Sequence, residues 1–214
     1  SANFATLELT KKVDKVIDRF PILVNGKDKA GRFFRKNFAA MFAYVQNRIP
    51  EISDETYRID DAMKAGFGWE HGPFQIWDAI GIEKGIQLMK EEGYEVNPWV
   101  NEMLSQGNSS FYSINNGAKH YYDIPSKSQV KVPGQEAFII LENVRETKTI
   151  WRNSGASIQH LGDGVLNVEF QSKMNTLGGE VLQAINKGID LAESEYDALI
   201  LGNQGANFSV GANL

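Results

Sequence analysis

Gly202-Asn203-Gln204-Gly205-Ala206-Asn207-Phe208-Ser209-Val210-Gly211-Ala212-Asn213-Leu214 is the last stretch of a 214-residue chain. It follows Ala198-Leu199-Ile200-Leu201, an apolar run that reads as a short buried strand. Its glycines read as a turn from that strand into a helix. Such a turn can present backbone N–H groups to an anion or an oxyanion. The sequence reaches its last residue inside the turn, so the expectation is of a piece of something larger, with a functional site only partly present.

Working backwards, Leu182, Ile185, Ile189 and Ala192 fall on one helical face. Residues 156–161 and 165–170 alternate as strands around Gly162-Asp163-Gly164, a hairpin turn. The order strand, strand, helix, strand is the start of an α/β layer. Residues 123–134, with Pro125 and Pro133, read as a connection between units. Before them, residues 111–114 and 118–122 flank Asn115-Asn116-Gly117, and Asn-Gly supplies the positive φ values of a tight hairpin.

The first half is helical. Leu9, Val13, Val16, Ile17 and Phe20 recur at helical spacing, as do Phe34, Phe38, Met41, Phe42 and Val45 ahead of Pro50. Ser53 reads as the N-cap of a helix that Gly66 ends. Pro73 opens a short helix to Ile80, Ile82, Ile86 and Met89 mark another that closes near Gly93, and Asn97-Pro98 starts one that stops at Gly107.

Composition narrows the function class. A hydrophobic content of 42% with 23% charged residues suits a chain that buries a core. The net charge of −5 offers no basic footprint, which argues against a nucleic-acid partner. With no cysteine, disulfides and thiol catalysis drop out, and the cytoplasm is the default compartment. His71, His120 and His160 lack metal-ligand spacing, so no metal is expected. Apolar runs such as 138–141 fall far below the ~18 residues of a membrane span.

Two segments resemble known families. Asp61-Ala62-Met63-Lys64-Ala65-Gly66-Phe67-Gly68-Trp69-Glu70-His71-Gly72-Pro73-Phe74, followed by Trp77-Asp78-Ala79-Ile80-Gly81, resembles the helical C-terminal domain of 3-hydroxyacyl-CoA dehydrogenases over residues 30–105. The Gly-Asp-Gly hairpin, Ser172-Lys173-Met174-Asn175-Thr176-Leu177 and Asn207-Phe208-Ser209-Val210-Gly211-Ala212-Asn213 resemble the N-terminal half of the crotonase, or enoyl-CoA hydratase, fold. Together they resemble bacterial bifunctional β-oxidation proteins in which the dehydrogenase precedes the hydratase.

The resemblance implies that the backbone N–H of Ser209 is one oxyanion-hole donor for a thioester enolate. It also implies that Met174, Asn175, Phe208 and Gly211 lie along the CoA thioester. The second donor and the catalytic acids would lie outside these residues, and Glu169 and Glu180 read as ordinary surface acids. Met174 to Leu177 also has a plainer reading, a helix entry capped by Asn175. The dehydrogenase's glycine-rich NAD loop does not occur here. Arg35 stands where that family carries an active-site asparagine, which implies a second, non-catalytic copy of the helical domain. Phe34, Phe38, Phe42, Trp69, Phe74 and Trp77 then read as core and packing surface.

The expected fold is α plus α/β: residues 1–107 a helical dehydrogenase-type domain, 108–145 a hairpin and linker, and 146–214 a truncated crotonase-like ββαβ segment. The parent protein would use NAD and acyl-CoA substrates. The chain alone is expected to bind neither and to be inactive, with either self-association through the exposed, truncated surface or a loose C-terminal region. The competing readings are a non-enzymatic scaffold or acyl-CoA-binding module, and a crotonase-fold isomerase or thioester hydrolase.

Overall fold

A computed structural model describes residues 3–205 and 207–212 of the chain. They fall into two units, one of residues up to Ser113 with His120–Val132, the other of Ile114–Lys119 with the residues from Pro133 onward.

The first unit is built from α1 (Ala5–Thr10), α2 (Arg19–Asn25), α3 (Lys29–Gln46), α4 (Thr56–Phe67), α5 (Pro73–Ile80), α6 (Ile82–Glu91) and α7 (Pro98–Ser105). Asp28 caps α3, its carboxylate accepting from the Gly31 N–H at 3.0 Å and from the Thr6 N–H and hydroxyl at 2.9 and 2.7 Å. These bonds hold that carboxyl at about 2, below its ordinary 3.8. The apolar stripe of α3 packs on α5 and α6 around a stack of rings. Phe42 lies 4.7 Å from Trp77, and Trp77 lies 5.1 Å from Phe111. All three are fully buried.

Two aspartates fix the approach to the hairpin. The buried Asp60 accepts from the Phe74 and Gln75 N–H groups at the start of α5, and from the Tyr112 hydroxyl at 2.8 Å. Burial, then the neighbouring Asp60 charge, pushes the Tyr112 hydroxyl far above its usual range. Asp78 of α5 accepts from the Phe111 and Tyr112 N–H groups at 2.7 and 2.9 Å. There β1 (Tyr112–Asn115) begins, turning through Asn116 and Gly117, both at positive φ, into β2 (Ala118–Asp123). The stretch read as a connection contains a further strand, β3 (Ser128–Lys131), antiparallel to β2.

Several helical expectations are corrected here. The single helix read from Leu9 to Phe20 is two helices with residues 11–18 between them. Pro21 is admissible only in a first turn, so α2 starts afresh, and Arg19 donates to the Val13 and Asp14 carbonyls that a helix would have used. Ser53 does not cap α4 directly; its hydroxyl accepts from the Glu55 N–H, and Glu55 is the capping position. The helix runs through Gly66 and ends at Gly68, whose φ of 67° places it in the left-handed region. Trp69 is 39% exposed and lies outside the ring stack.

The second unit carries a four-stranded sheet of β4 (Thr149–Arg152), β5 (Ala156–Gly162), β6 (Val165–Phe170) and β7 (Ala198–Leu201), in that order. The first two pairings are antiparallel and β6 with β7 is parallel. A 3-10 turn (Lys173–Asn175) precedes α9 (Gly179–Glu195), which covers one face of the sheet. That face holds Ala156, Ile158, Leu166, Val168 and Phe170 against Val181 and Ala184.

The buried face of α9 is rotated from the one its apolar period predicts. Val181, Ala184 and Gly188 are buried, whereas Leu182 and Ile189 are 55% and 41% exposed. Strand β7 is not buried: it lies at the end of the sheet order, and Ile200 and Leu201 are 46% and 42% exposed. Two further elements, β4 and α8 (Leu141–Lys148), have no counterpart in the sequence pattern.

Candidate functional site

The other face of β5 and β6 is polar and equally buried. Ser157, Gln159, Asn167 and Glu169 are each 2% exposed or less. Glu169 is therefore not the surface acid expected; it takes two bonds from the Arg145 guanidinium of α8, at 2.7 and 3.0 Å, and one from the Gln159 amide at 3.0 Å. The pairing holds the Arg145 guanidinium above its ordinary range. Gln159 accepts from Asn167, and Asn167 donates to the Gly202 carbonyl at 3.2 Å. A continuous run of hydrogen bonds thus leads from α8 across the sheet to the residue after β7. Glu180, by contrast, is exposed at the start of α9.

From Gly202 the chain is held by side-chain amides. The Gly202 N–H still joins the sheet, donating to the Val168 carbonyl. Asn203 accepts from the Phe170 N–H at 2.7 Å and donates to the Phe208 carbonyl at 2.8 Å. Gln204 accepts from the Leu141 N–H and donates to the Ile139 carbonyl. Ala206, Asn213 and Leu214, named in the terminal turn, lie outside the described residues.

The two segments singled out in the sequence come together. The Asn175 amide donates to the Asn207 carbonyl at 3.0 Å, and the Leu177 N–H donates to the Gly211 carbonyl at 2.9 Å. Leu177 and Ala212 form a parallel bridge. Asn175 is not a helix cap, because α9 is preceded by Gly178 and Asn175 sits in the 3-10 turn at a φ of 55°. Beside it Met174 also has positive φ and is 61% exposed. Phe208 is 56% exposed with its ring 5.6 Å from Phe170.

Ser209 lies at the centre of this arrangement. Its hydroxyl accepts from the Gly211 N–H at 3.0 Å, so the side chain is occupied in shaping the turn. Among the described residues no acceptor faces the Ser209 N–H. Chemically, the arrangement offers a backbone donor on a braced loop, next in sequence to the exposed Phe208 ring. Also among the described residues, no group of three or more His, Asp or Glu side chains is placed to hold a metal, and no helix is long and apolar enough to cross a membrane.

The helical unit shows no comparable cluster among the described residues. Arg35, at the position singled out for comparison, donates to the Val24 carbonyl at 3.0 Å and to the Gly26 carbonyl, closing the end of α2. Its guanidinium is committed to the backbone. Among the described residues, no strand is followed by both the glycine-rich loop and the helix that a dinucleotide needs.

Comparison with known proteins bears on both units. Residues 30–120 match the family described as "3-hydroxyacyl-CoA dehydrogenase, C-terminal domain". The chain is thus one of mixed helix and sheet in which residues 30–120 are similar to that domain. Over 209 residues it is 41% identical to the "Probable 3-hydroxyacyl-CoA dehydrogenase" of Bacillus subtilis (strain 168), covering 97% of this chain and 26% of that protein. It is 24% identical to the "Putative fatty acid oxidation complex trifunctional enzyme" of Rickettsia prowazekii (strain Madrid E), covering 95% of this chain and 25% of that protein. The Rickettsia felis (strain ATCC VR-1525 / URRWXCal2) protein of the same name shows the same identity and coverage. The chain therefore spans about a quarter of the length of the curated relatives it matches. No solved structure matches it.

Proposed function

We propose that this chain is a segment of a fatty-acid β-oxidation protein that hydrates trans-2-enoyl-CoA and oxidises the 3-hydroxyacyl-CoA product with NAD. In this reading residues 1–107 are the helical dehydrogenase-type domain, 108–145 a hairpin and connector, and 146–214 the first part of a crotonase-like domain. The names of the relatives support the dehydrogenase half. The observation that carries the hydratase half is the Ser209 N–H, for which no acceptor occurs among the described residues, on a loop bridged to the Asn175–Leu177 segment.

Hydration adds hydroxyl at the β-carbon and a proton at the α-carbon, and negative charge develops on the thioester oxygen in between. A preorganised N–H aimed at that oxygen lowers the barrier, and losing one such donor costs about 10²–10³ in kcat. Met174, Asn175, Phe208 and Gly211 would border the acyl-CoA. The residues of this chain do not fit NAD, which would be bound outside it, so no hydride step is assigned to them.

The test is steady-state kinetics on the full-length protein and on the 214-residue chain. Enoyl-CoA hydration and NAD-dependent oxidation are expected from the first and neither from the second. A full-length protein without hydratase activity would end the crotonase reading. Turnover by the short chain would show that its site is complete.

A further inference from the structure

We infer that Asn203 is a positioning residue that sets the direction of the Ser209 N–H; this rests on the oxyanion-donor reading of Ser209. The carbonyl of Phe208 and the N–H of Ser209 belong to one peptide group. That group is planar and trans, so its C=O and N–H point in opposite directions. The Asn203 amide donates to the Phe208 carbonyl at 2.8 Å, and the Ser209 N–H is thereby turned away from Asn203.

Asn203 is itself fixed. Its side-chain oxygen accepts from the Phe170 N–H at the end of β6, at 2.7 Å. A backbone N–H can only donate and a carbonyl only accept, so this orientation of the amide alone satisfies both. Its backbone follows Gly202, whose N–H and carbonyl are both bonded to β6, through Val168 and Asn167. The relay therefore runs from β6 through one amide to one peptide plane.

Neighbouring bonds do not do the same. Asn175 holds the Asn207 carbonyl, one peptide earlier, and the Ser209 hydroxyl holds the Gly211 N–H, further along. Among the described residues, Asn203 alone bonds the Phe208–Ser209 peptide. A carboxylate at 203 would still accept from Phe170, but would set oxygen against the Phe208 oxygen and rotate the peptide. A protonated carboxyl has both an acceptor and a donor, as the amide has.

The experiment uses full-length protein and a 3-aryl-propenoyl-CoA, whose absorption moves to the red when its thioester carbonyl is polarised. Asn203→Asp is expected to lose the red shift at neutral pH and at least about tenfold in kcat, with KM within threefold. The red shift should recover as the pH is lowered through the pKa of the introduced carboxyl, while the red shift of the parent protein stays flat. Gln204→Leu, which removes two bonds from the same loop, should keep the red shift.

If Asn203→Asp does not accumulate as folded protein, Asn203→Ser replaces it, with the same losses and no recovery at low pH. An Asn203→Asp protein with parental red shift and kcat overturns the inference, as does equal loss in Gln204→Leu. A parent protein that turns over enoyl-CoA with no red shift overturns it too. A parent with neither shift nor turnover removes the Ser209 reading itself, a separate outcome.

Discussion

Gly85 and Gly66 both lie inside helices, and replacing each by alanine should move stability in opposite directions. In a helix interior the exchange alone gains roughly 0.5–1 kcal/mol. At Gly66 in α4 an added Cβ meets nothing within 4 Å, so a gain of about 0.5 kcal/mol is expected. At Gly85 in α6 the Cβ would stand 2.0 Å from Nε1 and 2.5 Å from Cδ1 of Trp77. That ring is fully buried between Phe42 and Phe111, and its N–H donates to the Ile82 carbonyl at 3.2 Å. Displacing it adds an overpacking cost of about 1–3 kcal/mol. The lost hydrogen bond adds about 1 kcal/mol. Set against the helix gain, Gly85→Ala should be destabilised by about 1–3 kcal/mol. Urea unfolding in a Trp151→Phe background, followed by tryptophan fluorescence, confines the signal to Trp69, Trp77 and Trp99 of the helical unit. A Gly85→Ala chain as stable as its parent would refute the packing argument, and a destabilised Gly66→Ala would refute the placement of the helix end at Gly68.

Other outcomes follow from the polar contacts. Arg145→Met strands the buried Glu169 carboxylate and should cost about 3 kcal/mol in the second unit; parental thermal melting would contradict this. A double-mutant cycle of Asp60→Asn with Tyr112→Phe should give a coupling of about 1.5–3 kcal/mol, since a hydroxyl donates to a buried charge; additivity would deny the contact. The Asp28 carboxyl titrates at about 2 when folded against 3.8 ordinarily, so its contribution is present above pH 3.8 and fades as pH falls toward 2. Asp28→Asn should flatten the acid limb of a stability–pH curve over that window, and an unchanged limb would exclude Asp28 as its source.

Where local rules act unopposed, the fold is legible in the chain. Helices α3, α5, α6 and α7 show both their apolar period and their boundaries, such as Pro73 and the Asn97-Pro98 start. Residues 9–20 keep the same period, yet Pro21 and the Arg19 side chain divide them, a tertiary override of the pattern. Helix α8 was invisible because Leu141 and Val144 are its only buried apolar residues amid charges. Of the proposed site, the two segments around Asn175 and Ser209 are visible as motifs and meet in the structure, but the bonding of Asn203 appears only in three dimensions. Glu169 was misread for a physical reason. Polar residues alternating along a strand signal a solvated face unless another element carries the compensating charge, and here that charge is on α8.

The buried Arg145–Glu169 pair has a consequence for how the sheet finds its alignment. A sheet apolar on both faces tolerates a one-residue slip, since either set of side chains suits either cover. Between β5 and β6, such a slip would carry Glu169 to the side of Val181 and Ala184 and leave Arg145 facing hydrocarbon. An unpartnered charge in an apolar layer is disfavoured by several kcal/mol. The pair therefore favours the observed register of β5 and β6 over its one-residue neighbours.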